Sequence, residues 1–381
     1  MKKSFWGSAQ GNDAFSWYTD GKTGMKQVTQ EKNMAFLGTL NGREASVLVL
    51  ENALGMKMEI LSYGAILRSW LVPNSSGGRD NIVVGFNSLE EYDRQGGPYL
   101  GAFVGRVANR ISGAKFALGG TTYSLDVNDG PRNNTLHGGW RGFNNKFYTF
   151  RFPSSQSVEL SAESVDGEGG FPGNVQIRVR YTLTDAGEWV CEYFVTADQK
   201  TPVDCTQHTY FNLSGGNLRE NANADWELQI FADRYLPFRE GIVPSGEIVP
   251  VAGTPFDFRQ PKAVGRDHDA KEPQFDFSGG YSHYYVLNRK GSQDVTPAAV
   301  VRDPQTGRTL EMATNQPGFV LFACTSCNGT VNTSQGKLVR RGAICLEAQN
   351  YPNAINEPSF PSPIIKAGET YYQKTVYRVR F

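Results

Sequence analysis

The chain has 381 residues, 39% hydrophobic and 12% aromatic, enough to bury a large core in one very large all-β unit or in two or three ordinary ones. Lys and Arg number 38 and are balanced by 38 Asp and Glu. A formal charge of zero gives no field to attract nucleic acid or an anionic membrane, and it suits a neutral partner.

Residues 1–35 mix Gly, Lys, Asp and Gln with scattered aromatics such as Trp6, Phe15 and Trp17. They are expected to form an N-terminal extension that packs partly on the main body. Met1-Lys2-Lys3 starts like a signal peptide, but Ser8, Gln10, Asn12 and Asp13 interrupt any apolar run. No stretch reaches the length of a membrane-spanning helix. A cytoplasmic protein is expected.

From Ala45 the pattern becomes alternation of period two. Met56, Met58 and Ile60 alternate with Lys57 and Glu59, and Val175 to Leu183 alternate apolar with polar at every step. Both predict half-buried strands. The 42 Gly and 19 Pro cut the chain into short pieces, with turns expected at 74–78, 119–120, 166–170 and 244–246. Only short stretches such as 88–94 look helical. Alternating βα units are absent, as is any fixed repeat, so residues 36–381 are expected to form one large all-β, antiparallel sandwich.

The cysteines are Cys191, Cys205, Cys324, Cys327 and Cys345. The odd number and spacing fit a reducing compartment. A zinc site needs about four ligands. Cys324 and Cys327 have no second pair and no nearby histidine, so they read as two strand-end cysteines, and no metal is expected.

Four histidines are present. His137 precedes Gly138-Gly139, where the backbone can approach a ligand closely; it could equally be a turn histidine capping a strand end. His208 shares a strand face with Tyr210, and is either a functional group or a core histidine bonded to a carbonyl. His268, in Arg266-Asp267-His268-Asp269, reads as a solvated loop residue, and His283 is ambiguous. Glu347 sits in the apolar run Ala343-Ile344-Cys345-Leu346, where a carboxylate needs a buried partner or a reaction to justify its cost. Asn109-Arg110 offers donors for sugar hydroxyls, or a surface Arg paired with an acid. Asp257, between Phe256 and Phe258, is either a ligand acceptor or half of a pair with Arg259.

Eight segments occur in a recognisable order: 105–111, 136–139 with 142–143, 170–174, 208–213, 244–247, 254–259, 316–318, and Leu346-Glu347 through Phe360-Pro361-Ser362. Together they resemble the aldose 1-epimerase (galactose mutarotase) family, from about Ala35 to Phe381. The resemblance implies a β-supersandwich and interconversion of the α and β anomers of free hexoses such as galactose and glucose, without cofactor. It also implies that Glu347 is the general base and His208 the general acid. His137 would bind the sugar near its ring oxygen. Asn109, Arg110, Tyr210 and Asp257 match substrate-binding positions, and Val320 matches a pocket-lining one. Ser282 and Tyr284 stand where the family often has Asp and Asn. The expected partner is a monosaccharide, with no nucleic acid or membrane, and the protein a monomer or weak dimer. The expected mechanism has His208 and Glu347 face each other across the sugar, on opposite sides of the ring oxygen and anomeric hydroxyl, each with near-neutral pKa: histidine has one untuned, and a glutamate gains one by desolvation. Three rival readings remain open on the sequence. One is a hexose-phosphate epimerase using Arg106, Arg110, Arg132 and Arg141. Another is a glycosidase using Asp257 and Glu347, and the third a sugar-binding module without catalysis.

Overall fold

The computed structural model describes residues 33–93, 97–289, 291 and 294–381. Most of the N-terminal extension, residues 1–32, lies outside the described residues. The first strand opens at Met34, so Met34 and Ala35 already belong to it.

Three antiparallel sheets dominate. The first is a simple meander of Met34–Leu40, Arg43–Glu51, Lys57–Leu61, Leu67–Pro73 and Arg79–Asn81. The second has nine strands, with Val175–Leu183, Glu188–Ala197 and Thr370–Arg380 adjacent at its centre. The third runs Val249–Pro250, Arg234–Leu236, Ser282–Val286, Gly318–Phe322, Cys345–Gln349. The expected alternation is observed: every second residue of Glu188–Ala197 is buried, as are Met56, Met58 and Ile60. A residue pattern of period two presents one whole face of each strand to the core.

Those faces meet in one continuous apolar cluster drawn from all three sheets, including Leu48 and Met58 of the first, Val179 and Tyr377 of the second, and Phe319 and Leu346 of the third. At its centre Trp189 packs edge-on against Trp70 (6.1 Å) and Tyr181 (5.4 Å) and stacks on Tyr377 (5.2 Å). Each fully buried side chain of this size contributes roughly 1.5–3 kcal/mol or more by leaving water. The described residues contain two short α-helices, Leu89–Asp93 and Pro273–Ser278. The first is started by a reciprocal cap: the Glu91 N–H donates to Ser88 Oγ and the Ser88 N–H to Glu91 Oε2. None is long and apolar enough to cross a membrane.

Two local expectations are corrected, and the ambiguous His283 is placed. Cys324 and Cys327 are joined by a disulfide, the chain turning between them so that their Cα atoms come within 5.3 Å. Cys191, Cys205 and Cys345 are free and buried. His268 is half-buried against Tyr281 rather than solvated, and burial pushes its pKa down to about 4. His283 is fully buried among Phe238, Phe256 and Tyr235, away from any charged partner.

Candidate active site

His208 and Glu347 lie on strands whose residues are buried on both faces, Thr206–His208 and Cys345–Gln349. Alternation is lost there because each strand is covered on both sides, and a polar side chain in such a place is exposed only toward a cavity. The Thr206–His208 strand pairs with Ala102–Val104, and the His208 carbonyl accepts the Gly101 N–H at 2.9 Å. Gly101 has φ +64°, and a Cβ there would stand 2.0 Å from the Leu67 carbonyl oxygen, so only glycine fits. The Glu347 strand pairs with Gly318–Phe322, which places Val320 directly opposite Glu347. On its far edge the Leu346 carbonyl accepts from Tyr377 Oη (2.7 Å) and the Ala348 carbonyl from Gln373 Nε2 (2.9 Å).

Asn109, Arg110, His137, His208, Tyr210, Val320 and Glu347 all line one cleft of about 570 Å³. His208 Nε2 lies 3.7 Å from Glu347 Oε1. The His137 ring stands edge-on to His208 with centroids 5.1 Å apart, and Tyr210 stacks on the other side of His208 at 5.2 Å. Glu347 Oε2 is buried and has no protein partner. It is therefore an acceptor left open for a substrate hydroxyl.

The sugar cannot lie between the two groups, as a ring does not fit into 3.7 Å. They stand side by side and address the same edge of a ligand. In an aldopyranose O5 and O1 are both bonded to C1, so one edge presents both oxygens to such a pair.

Burial sets the protonation. Desolvation pushes the Glu347 carboxyl up to about 8, opposed by the nearby Arg110 charge. The expectation that His208 keeps an ordinary value is corrected: desolvation pushes it down to about 4. Both charged forms are penalised by the same dry environment. Across neutral pH the pair thus holds one proton, resting on the carboxyl.

His137 is held by a reciprocal contact with Asn109. The Asn109 N–H donates to His137 Nδ1 (3.2 Å), and the His137 N–H donates to the Asn109 carbonyl (3.0 Å). With Nδ1 accepting, the neutral ring carries its proton on Nε2 and presents a donor. The glycines after His137 serve a different contact from the one expected. A Cβ on Gly138 would strike the Gly105 carbonyl oxygen at 2.0 Å, so the close approach is between backbones.

One candidate cation cluster occurs among the described residues, formed by His137, His208 and Glu347 with donor atoms within 4.8 Å of one another. The Asn109 contact uses the His137 Nδ1 lone pair and leaves a proton on Nε2, so this histidine is set as a hydrogen-bond donor rather than a ligand. The residues fit proton transfer better than metal binding.

Arg110 is not solvated: its Nε donates to Asp129 Oδ2 at 2.8 Å, and Arg132 binds the other oxygen of Asp129 at 2.7 Å. Asp257 is a correction. It lies outside the cleft, bordering a separate depression, and is bidentate with Arg259 at 2.9 and 2.7 Å. The intraloop pair wins because Arg259 is two residues away and half-exposed, so the contact needs no burial of either charge. Asp257 therefore cannot pair with Glu347 across a glycosidic bond. Of the four arginines proposed for a phosphate site, Arg110 and Arg132 stay together on the cleft, both paired with Asp129, and the other two leave it. Arg106 is buried on the Pro172 carbonyl, Thr201 and Ser164, and Arg141 pairs with Asp126.

Two cleft residues, Tyr99 and Phe322, were not legible beforehand as site residues. Tyr99 lies 4.8 Å from the His137 ring and 5.9 Å from His208. Phe322, beside Val320 on the same strand, lies 6.4 Å from His208. Ser282 and Arg132 complete the wall. Tyr99 had one signal, an aromatic directly after Gly97-Pro98 in a turn.

The fold is that of a large antiparallel β-supersandwich, and its cleft brings a buried carboxyl and imidazole together, an arrangement suited to proton transfer on a small ligand. Residues 46–378 match the family model described as aldose 1-epimerase. The chain is 41% identical over 322 residues to galactose mutarotase from Sus scrofa, covering 84% of this chain and 90% of that protein. It is 40% identical over 324 residues to galactose mutarotase from Homo sapiens, covering 85% and 91%. Aldose 1-epimerase from Escherichia coli is 33% identical over 340 residues, covering 89% and 96%. Among solved structures, galactose 1-epimerase from Lactobacillus acidophilus superposes with a TM-score of 0.79 at 29% identity, covering 91% of this chain and 98% of that one. The chain belongs to the aldose 1-epimerase family, and its activity is that of an isomerase interconverting sugar anomers.

Proposed function

We propose that the substrates are free hexoses, galactose and glucose, and that Glu347 and His208 are the reacting pair. The observation that carries this reading is the 3.7 Å approach of His208 Nε2 to Glu347 Oε1, with Glu347 Oε2 open to the cleft. The reacting form is the carboxylate–imidazolium one, which has the same proton count as the resting pair and is favoured by the Arg110 charge beside Glu347. Glu347 then takes the proton of O1–H. The C1–O5 bond breaks as the C1=O1 bond forms, and His208 delivers its proton to O5. Rotation about C1–C2 presents the other face of the carbonyl, and the same two transfers in reverse close the ring.

The Nε2–H of His137 donates near the ring oxygen. Asn109 and Arg110 bind hydroxyls, while Tyr210 and Val320 wall the ring. Free galactose is supported by the names of the pig and human relatives. It is also supported by the pairing of both cleft arginines, Arg110 and Arg132, with Asp129, which takes up the charge a phosphate would need. The β-sandwich unit acts in the cytoplasm, as a monomer or weak dimer. Three free buried cysteines support that location, and the Cys324–Cys327 disulfide is the feature that weighs against it.

Polarimetry on freshly dissolved α-D-galactose and α-D-glucose tests the reading. The expected result is acceleration of both, with glucose 6-phosphate slower. A clear preference for glucose 6-phosphate would contradict it.

A further inference from the structure

The segments carrying His208 and Glu347 run past each other without forming a ladder. At one end Phe211 and Ile344 exchange both backbone hydrogen bonds, at 2.8 and 3.0 Å. Beyond that bridge the partners diverge: Thr206–His208 pairs with Ala102–Val104, and Cys345–Gln349 pairs with Gly318–Phe322. Among the described residues no backbone hydrogen bond joins 205–210 to 345–349. A gap of this kind makes room for two side chains to face a ligand, but one tie alone would leave their spacing free to drift.

Two further ties cross the gap: Cys345 Sγ lies 3.9 Å from His208 Nδ1 inside the pair's own strands, and from outside the cleft the segments are joined by Asp204. Its Oδ1 accepts the Asn350 N–H at 2.9 Å, three residues beyond Glu347 and four before His208. Its own N–H donates to the Arg106 carbonyl (2.9 Å), and its carbonyl accepts the Ala108 N–H (2.8 Å). One residue thus joins the three segments that supply His208, Glu347 and the Asn109-Arg110 pair. Asp204 is fully buried, and it does not line the cleft. A carboxyl kept in such a place at the cost of desolvation needs a use other than solubility.

We propose that Asp204 is a positioning residue whose side chain, by clamping Asn350, sets the distance between His208 and Glu347. The proposal rests on the reading of those two as the reacting pair. A misplacement of about 1 Å costs on the order of 100-fold in rate, so loosening the clamp lowers kcat while the walls that bind the sugar stay in place.

The test is a set of variants assayed together by polarimetry, with rates normalised to folded protein by circular dichroism. D204A removes the acceptor for Asn350. D204N keeps an oxygen at the same position. The expected result is a drop of tenfold or more in kcat for D204A with KM within about threefold, and recovery to within about threefold of wild type in D204N. If D204A does not fold, D204S, whose hydroxyl is too short to reach Asn350, carries the same comparison. Folded D204A or D204S with wild-type kcat, or with a change in KM alone, overturns the proposal. H208A and E347Q in the same assay separate the two claims. If they retain wild-type kcat, the pair is not the reacting one, and the clamp falls with it. If they lose kcat and D204A does not, only the clamp fails.

Discussion

His208 Nε2 and Glu347 Oε1 are 3.7 Å apart, too far for a direct hydrogen bond and close enough that one C1–O1 edge can reach both. Their strands reach the cleft from different sheets. The pair shares one proton because burial raises the acid and lowers the base.

The activity should therefore be bell-shaped in pH. The singly protonated pair exists between the two apparent values, about 4 on the His208 side and about 8 on the Glu347 side. kcat/KM for galactose should be flat between these values and fall outside them. An acid limb near the ordinary histidine value of 6.5 would show that His208 is not desolvated in the free enzyme.

Glu347→Gln should lower kcat by roughly 10²–10⁴-fold with sugar binding retained. It should also stabilise the fold. The raised pKa of Glu347 means that the folded chain keeps a proton the unfolded chain releases above 4.5. Stability from this group is full below that value and is lost as pH rises toward about 8. The variant escapes this loss, so its advantage should grow from about pH 5 to about pH 8, by roughly 3–4 kcal/mol at most. Urea unfolding at both pH values checks it, and a gap that shrinks with pH contradicts it.

His208→Ala should cost kcat more than KM, since the imidazole is assigned to proton transfer rather than to holding the sugar. A loss of roughly 10²-fold or more in kcat is expected. If KM alone moved, His208 would be a binding residue.

Val320 and Phe322 give the floor beside Glu347 no hydrogen-bonding side chain. A sugar hydroxyl buried over them is left unpartnered, at about 1–3 kcal/mol. Val320→Asn should change the ratio of kcat/KM between hexoses epimeric at one carbon by several-fold, whereas His208→Ala slows all of them alike. An unchanged ratio would mean that the floor does not contact the ring.

The strands were legible because half-burial writes itself into sequence as alternation, as in Val175–Leu183, and because Gly and Pro mark the turns. The Glu347 strand was legible for the opposite reason, a lone charge in an apolar run. Asp257 shows the limit. Flanked by phenylalanines it reads as a buried acceptor, but which acid an arginine takes depends on loop geometry that spacing does not encode. The Cys324–Cys327 bond depended on a turn in the same way. Asp204 gave no local signal at all, because its contacts at Asn350 and Ala108 are fixed only when distant segments meet.

The most direct measurement is a crystal structure of the Glu347→Gln variant with galactose bound. It should place O1 within hydrogen-bond reach of the residue 347 side chain and O5 within reach of His208, with the ring over Val320. A sugar bound with C1 turned away from both side chains would contradict the assignment of this pair.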